Sequence, residues 1–253
     1  MKSSLRSLTL ALAATLACAV QLAAAPGSKD ADKERDGQKI DSGSFGVYMG
    51  GKRVGTETFA IYQARNGSVT TSEFKTENAP TEAVQKSELQ LSGTGELRRY
   101  EWKEISPEAA ESTVLPNDQF LTQKSSTGPQ GKELEQPYLL SPTTSILDDY
   151  FFIHRELLAW KLMGAVCKKE GGPVQCMTRQ RAQFGTLNPH QHSSAPLTGE
   201  YMGRDKVNFK GAQREFDKFE LRSEAETWDL WLDDQFKIQR MVIESANTEV
   251  IRD

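Results

Sequence analysis

The sequence predicts a mainly β protein of the α+β kind, in which a curved antiparallel sheet or half-barrel carries one apolar helix on its concave face. Apolar and polar residues alternate along most of residues 44–253, and this period is typical of half-buried strands. Turn-forming residues separate the alternating stretches at short intervals. One segment, residues 145–163, instead has its apolar residues in an arc at helical spacing. An antiparallel sheet and one helix are therefore expected to share a core.

The first residues indicate export. Residues 1–25 have the order of a signal peptide, with Lys2 and Arg6 before an apolar stretch that ends in small residues. The residues that end at Cys18 also partly resemble a bacterial lipobox, so a lipid anchor at Cys18 is the alternative outcome. Residues 26–43 are charged and poor in aliphatic side chains, and we expect a disordered leader there. The protein is thus predicted to work in the periplasm or cell envelope of a bacterium.

The strands are expected within residues 44–253, which we interpret as a single antiparallel β domain because no linker divides them. A hairpin opens the domain, and Asn66-Gly67 marks a tight turn because both residues tolerate positive φ. Residues 128–137 are predicted to be a loop. The predicted strands cover residues 45–49, 54–61, 68–76, 84–91, 97–105, 119–126, 174–181, 207–210, 216–221, 228–232 and 236–244.

The predicted helix covers residues 145–163. Ser145 is placed to cap its first turn together with Asp148, Lys161 suits the negative end of the helix dipole, and Gly164 ends it. Its apolar arc spans about 200° at 100° per residue, which is too broad for a surface helix. We therefore expect the helix to lie against or inside the concave sheet face.

Five residues of this segment are the candidate ligand-binding residues. His154 lies among the apolar side chains, and two interpretations stay open for it. It could orient a ligand or act as an acid or base, or it could be a buried imidazole that bonds a backbone carbonyl or a sheet side chain. The candidate residues are Tyr150, Phe151, His154, Leu158 and Leu162.

Cys167 and Cys176 are predicted to form a disulfide. They are the two cysteines left after removal of the signal, and they flank a Gly-Gly-Pro turn. An oxidising compartment favours a bond between them. A metal site would need more ligands nearby, and a redox dithiol usually has a closer spacing. The expected role of this disulfide is a structural cross-link.

Other chemistries lack support in the sequence. The net charge is −4 with no basic run, which argues against nucleic acid as a partner. His190 and His192 form a His-x-His in a predicted loop and lack further zinc ligands, so we expect solvated histidines and no metal. No nucleophile motif or phosphate-binding loop is present. We expect no cofactor and name no catalytic residue.

Three segments carry a resemblance to known proteins. The stretches Phe45–Gly55, Leu147–His154 and Trp228–Asp233 resemble those of uncharacterised exported bacterial β-rich proteins. The expected architecture is also similar to that of half-barrel carriers of the lipoprotein-localisation type. That similarity implies a curved sheet around an apolar cavity, but no functional residue is transferred by motif.

We expect a noncatalytic envelope protein that binds a lipid-like or other hydrophobic small molecule in a groove between sheet and helix. The helix has more apolar side chains than one sheet face needs for cover. Two alternatives remain. The protein could be an interaction or assembly module that binds another envelope protein, or a hydrolase that uses His154 with a carboxylate.

Overall fold

The structure is a computed structural model and describes residues 37–128, 131–168, 171 and 174–253. The predicted signal peptide, Cys18 and residues 26–36 of the predicted leader lie outside the described residues. The described residues form seventeen strands, one α-helix, α1 (Ile153–Val166), and a 3₁₀ turn at Glu244–Ala246. The strands are β1 (Gln38–Met49), β2 (Lys52–Ala64), β3 (Gly67–Thr76), β4 (Val84–Ser92), β5 (Leu97–Ser106), β6 (Ala110–Asn117), β7 (Phe120–Thr127), β8 (Leu134–Tyr138), β9 (Ser145–Ile146), β10 (Cys167–Lys168), β11 (Gln175–Cys176), β12 (Arg181–Asn188), β13 (Ser193–Phe209), β14 (Ala212–Arg222), β15 (Thr227–Leu232), β16 (Ile238–Ile243) and β17 (Thr248–Arg252).

The fold is mainly β, with one open sheet of 15 strands in the order β8-β7-β6-β5-β4-β3-β2-β1-β17-β16-β15-β14-β13-β12-β9. Two meanders, β1–β8 and β12–β17, join where β1 pairs with β17. Neighbouring strands are antiparallel except β9, which runs parallel to β12. The predicted antiparallel β class is therefore confirmed.

The helix lies on the inner face of this sheet and contacts both meanders. Four consecutive residues of its first turn, 153–156, are buried, so neighbours cover the helix on every side there. Leu162 packs against Gly199 of β13, where a Cβ atom would lie 2.7 Å from Leu162 Cδ2. Gln123 of β7 donates to the carbonyl oxygen of Pro189 after β12 at 2.7 Å, which brings the outer parts of the two meanders together. The sheet and its connections therefore enclose the helix, as the sequence predicts.

The helix begins later than the sequence predicts. Ser145 is not a cap, because Ser145 and Ile146 form β9 and pair with β12. The helix starts at Ile153 and runs to Val166, so the predicted range 145–163 is corrected at both ends. The first turn receives its acceptor from Glu57 on β2, which no local pattern could reveal.

The leader is shorter than predicted. Strand β1 begins at Gln38, inside the stretch expected to be disordered up to residue 43. Asp41 is buried there and forms ion pairs with Lys237 at 3.0 Å and Arg252 at 2.8 Å. Charge in this segment is thus paired within the fold, which composition alone could not indicate.

Five strands lie where none was predicted, namely β6, β8, β9, β10 and β17. Strand β8 occupies the end of the predicted loop 128–137, and β17 pairs with β1. The predicted strand 174–181 is reduced to the two residues of β11, and β12 begins at its last residue. The predicted disulfide is confirmed, because Cys167 and Cys176 are bonded across the short β10–β11 pair.

Candidate functional site

A cavity of about 410 Å³ lies between α1 and the inner face of strands β1–β4, and the β4–β5 turn and the β9 segment complete its wall. This volume is within the range of small-molecule sites, roughly 300–1,000 Å³. The wall contributed by the sheet and by β9 comes from Ile40, Ile61, Gln63, Ser68, Leu89, Leu91, Gly93, Thr94, Gly95, Thr144, Ser145 and Ile146.

One face of the helix supplies the other wall. His154, Leu157, Leu158 and Lys161 follow the spacing i, i+3, i+4 and i+7, which places them in one stripe along the helix. Gly164 continues the stripe one turn further and is exposed. Trp160 borders it and donates its indole N–H to the carbonyl oxygen of Phe236 at 2.6 Å. The helix is thus held while its stripe lines the cavity.

The cavity has a closed end and an open end. Ile61, Leu89 and Leu158, which line it, are buried, whereas Thr94 and Gly164 are exposed. The closed end is apolar except for His154. A molecule would therefore enter beside the last turn of α1 and bury its far end against aliphatic side chains.

His154 is the unusual group of this cavity. Its side chain is 1% exposed, and neither ring nitrogen has a hydrogen-bond partner within the described part of the chain. The rings of Tyr100 and Phe151 lie 5.5 and 5.8 Å from it. Burial lowers the pKa of His154 to about 4, so the imidazole is neutral at pH 7 and offers one donor and one acceptor. The backbone carbonyl or sheet side chain that the second interpretation requires is not found among the described residues.

Lys161 places a cation on the same stripe. Its ammonium donates to the carbonyl oxygen of Thr143 at 2.5 Å and to Ser145 Oγ at 3.1 Å. Burial lowers the pKa of this half-buried side chain. No carboxylate of the described residues forms an ion pair with it.

Of the five residues predicted to bind a ligand, two line the cavity and three do not. His154 and Leu158 line the cavity. Phe151 is fully buried, Leu162 faces Gly199 away from the cavity, and Tyr150 is 37% exposed beside the ring of Phe74. Leu157, Trp160 and Lys161 also line the cavity and were not predicted as ligand contacts. Their spacing from His154 was the available sign.

Buried carboxylates fix the helix that carries the stripe. Glu57 accepts hydrogen bonds from the backbone N–H of Phe152 at 2.7 Å and of Ile153 at 3.3 Å. Glu156 accepts from the N–H of Ile238 at 2.7 Å and from Arg252 at 2.8 Å. An anion at the helix N-terminus satisfies donors that lack intrahelical partners. Strands on both sides of the β1–β17 pair therefore set the position of α1.

A second polar cluster lies outside the cavity. Asp148 is fully buried and accepts from Tyr100 Oη at 2.5 Å and from His190 Nδ1 at 2.7 Å. His190 Nε2 lies 3.0 Å from Gln85 Oε1, and the ring stacks on Trp102 at 4.0 Å. The prediction of a solvated His190 is thus wrong. Both ring nitrogens have partners, so the cluster fastens the β12–β13 turn to β4 and β5.

Neither a metal site nor a membrane-spanning helix is found in the described residues. Within them, no three His, Cys, Asp or Glu side chains come close enough together to hold a metal ion. No helix of this part of the chain is long and apolar enough to cross a membrane.

Comparison with known proteins identifies a similar fold and no function. The structure is similar to the crystal structure of a β-barrel-like protein of a domain of unknown function, DUF1849, from Brucella abortus. The TM-score is 0.50 at 10% sequence identity, and the match covers 83% of this chain and 93% of that chain. No family model matches the sequence. No curated protein matches it either. The likeness shows the fold alone.

Proposed function

We propose that the protein is a noncatalytic bacterial envelope protein that binds a hydrophobic small molecule in the cavity between α1 and strands β1–β4. Export is proposed from residues 1–25, which have the pattern of a signal peptide. The alternative is a lipoprotein signal, in which Cys18 is acylated and becomes the mature N-terminus. The resemblance to half-barrel carriers of the lipoprotein-localisation type supports a lipid-like ligand. The protein would hold this molecule and transform nothing.

One observation carries the proposal. The cavity has an aliphatic closed end, and His154 lies in its wall without a protein partner in the described residues. An apolar molecule would fill the space beside Leu89 and Leu158 and remove this aliphatic surface from water.

The test uses protein expressed from its full coding sequence and purified from the envelope fraction. Native mass spectrometry and solvent extraction identify any molecule that co-purifies, and titration with the neutral dye Nile red measures binding of an apolar probe. Gly164→Trp places an indole at the mouth, because a Cβ atom at Gly164 has no neighbour within 4 Å. Gly164→Ala is the matched control.

The expected result is binding of Nile red to the wild type and to Gly164→Ala, with strong loss in Gly164→Trp. Equal binding by all three proteins would place the dye elsewhere and would contradict the proposal. Failure to bind the dye, together with no co-purified molecule, would also contradict it.

The assembly alternative has one observation in its favour. Strand β8 forms an edge of the sheet, and Leu134 on it and Leu139 just after it are 64% and 86% exposed. Exposed strand edges pair readily with other chains. Photo-crosslinking in cells from position 139 would favour this alternative if it yields one dominant protein adduct. For the hydrolase alternative, no nucleophile or carboxylate is bonded to His154 in the described chain.

A further inference from the structure

We infer that the ligand of this cavity is a single-chain amphiphile with a carboxylate headgroup, whose head pairs with Lys161 at the mouth while its chain runs toward His154. This inference rests on the proposed function and adds the chemical class and the orientation of the ligand. Four features of the site support it. They are the charge of Lys161, the order of polar and apolar groups along α1, the volume of the cavity and the number of cations in its lining.

The charge of Lys161 lacks compensation within the described residues. The half-buried ammonium donates to the carbonyl oxygen of Thr143 and to Ser145 Oγ and lies 5.6 Å from the centroid of the Phe184 ring, and none of these groups carries a negative charge. Two other partly buried cations differ in this respect, since Lys237 and Arg252 pair with Asp41 at 3.0 and 2.8 Å. A cation in partial burial attracts an anion more strongly than one in water. Lys161 therefore favours an anionic group at the cavity mouth.

The order of groups along α1 gives the orientation. Lys161 lies seven residues after His154, or about 10 Å along the helix at roughly 1.5 Å per residue. Leu157 and Leu158 lie between them on the same stripe, and Leu89 lines the cavity from β4. The wall is thus cationic near the exposed Gly164, aliphatic in the middle, and polar and neutral at His154. The cationic mouth matches a charged head, and the aliphatic wall behind it matches an alkyl chain.

The size and the number of cations select the class of amphiphile. A cavity of about 410 Å³ lies near the lower end of ligand-site volumes, which favours one chain over two. Among the residues that line it, Lys161 is the one with a permanent positive charge. A carboxylate carries one negative charge, which a single ammonium balances. A phosphate monoester carries about −1.5 to −2 at pH 7 and would keep uncompensated charge in a half-buried position.

The experiment measures displacement of Nile red from the full-length protein at pH 7.5 by four 12-carbon probes below their micellar concentrations. The probes are dodecanoate, dodecyl phosphate, dodecanol and dodecyltrimethylammonium. A hydrogen bond to a charged group is worth roughly 1.5–3 kcal/mol, so dodecanoate should bind at least about tenfold more tightly than dodecanol. Dodecyltrimethylammonium should bind most weakly.

Variants assign the preference to Lys161. Lys161→Met should lower the affinity for dodecanoate about tenfold and leave that for dodecanol unchanged, because the alkyl stem is kept and the charge is lost. Lys161→Arg should retain the preference. Lys206→Met, at an exposed position on β13 away from the cavity, is the matched control and should behave as the wild type.

The outcomes separate the two proposals. Equal affinities for dodecanoate and dodecanol, or a preference that persists in Lys161→Met, would overturn the headgroup assignment while dye binding at the cavity still stands. Tighter binding of dodecyl phosphate than of dodecanoate would overturn the carboxylate. If Nile red does not bind, or if Gly164→Trp leaves its binding intact, the proposed function itself fails.

Discussion

Glu57 is expected to tie helix α1 to the sheet and to make stability depend on pH. The carboxylate is fully buried and accepts from the N–H of Phe152 at 2.7 Å, the N–H of Ile153 at 3.3 Å and Ser72 Oγ at 2.7 Å. Glu57→Ala leaves these donors without an acceptor. At roughly 1–3 kcal/mol for each buried unsatisfied group, and with partial relaxation, the free energy of unfolding should fall by about 2–5 kcal/mol.

The sign of the pH dependence follows from burial of the carboxyl group. Burial raises the pKa of Glu57 from 4.5 to about 7, although the hydrogen bonds from Ser72, Ile153 and Phe152 act in the opposite direction. The folded protein therefore retains a proton that the unfolded chain releases between these two values. The contribution of Glu57 to stability falls as pH rises through this window, by roughly 2 kcal/mol between pH 5 and pH 7.5.

Glu57→Gln separates the two effects. Its amide oxygen can accept from Phe152 and Ile153 while its NH₂ group donates to Ser72 Oγ, so it should keep most of the stability at pH 5 and lose this pH dependence. Urea denaturation followed by tryptophan fluorescence at pH 5 and pH 7.5 measures both quantities. The reasoning is refuted if Glu57→Gln destabilises as much as Glu57→Ala, or if Glu57→Gln and the wild type respond equally to pH.

Two further predictions concern packing and cross-linking. Gly199→Ala should lower the free energy of unfolding by about 1–3 kcal/mol in urea, because the new Cβ would lie 2.7 Å from Leu162 Cδ2. Gly185→Ala, whose Cβ would meet Thr144 Oγ1 at 3.5 Å, is its matched control, and equal losses would contradict the packing described for α1. Replacing Cys167 and Cys176 by serine should cost roughly 2–3 kcal/mol by loop-closure entropy, and a wild type unaffected by dithiothreitol in the same assay would contradict this.

The strands could be predicted where apolar residues alternate strictly, and the edges of the sheet could not. In β15, Trp228, Leu230 and Leu232 share one face and are buried, as the pattern indicates, although Trp231 on the opposite face is also buried against Phe209 and Phe216. Strand β8 has four exposed residues and one buried residue, so its sequence contains no alternation to detect. Its place depends on backbone hydrogen bonds to β7, which are independent of side-chain type.

The helix boundary shows how tertiary contacts can override a local pattern. Ser145 and Asp148 have the spacing of a capping box, but Asp148 bonds Tyr100 and His190 instead. The acceptor for the first helical turn comes from Glu57, 95 residues earlier than Phe152 in the chain. A sequence pattern registers neighbours a few residues apart, and this cap depends on the order of strands in the sheet.

The sequence could predict the wall of the candidate site that the helix supplies, but not the wall that the sheet supplies. Helical spacing indicated the apolar stripe around His154 and Leu158, because one helix repeats its contacts every three to four residues. The opposite wall, which includes Ile61 and Leu89, depends on which strands lie beneath the helix, and the sequence does not encode that order locally. Lys161 was interpreted through the helix dipole because its position relative to the sheet was unknown.

The pairing of β1 with β17 has a consequence for how the protein matures. Met49 pairs with Thr248, so almost the whole described chain separates two strands that are neighbours in the middle of the sheet. Contacts of such long sequence separation form slowly, because a large loop must close first. During synthesis, β1 has one edge without a partner strand until residues 248–252 have been made. A chaperone that shields this edge would act on the nascent polypeptide, before β17 pairs with β1.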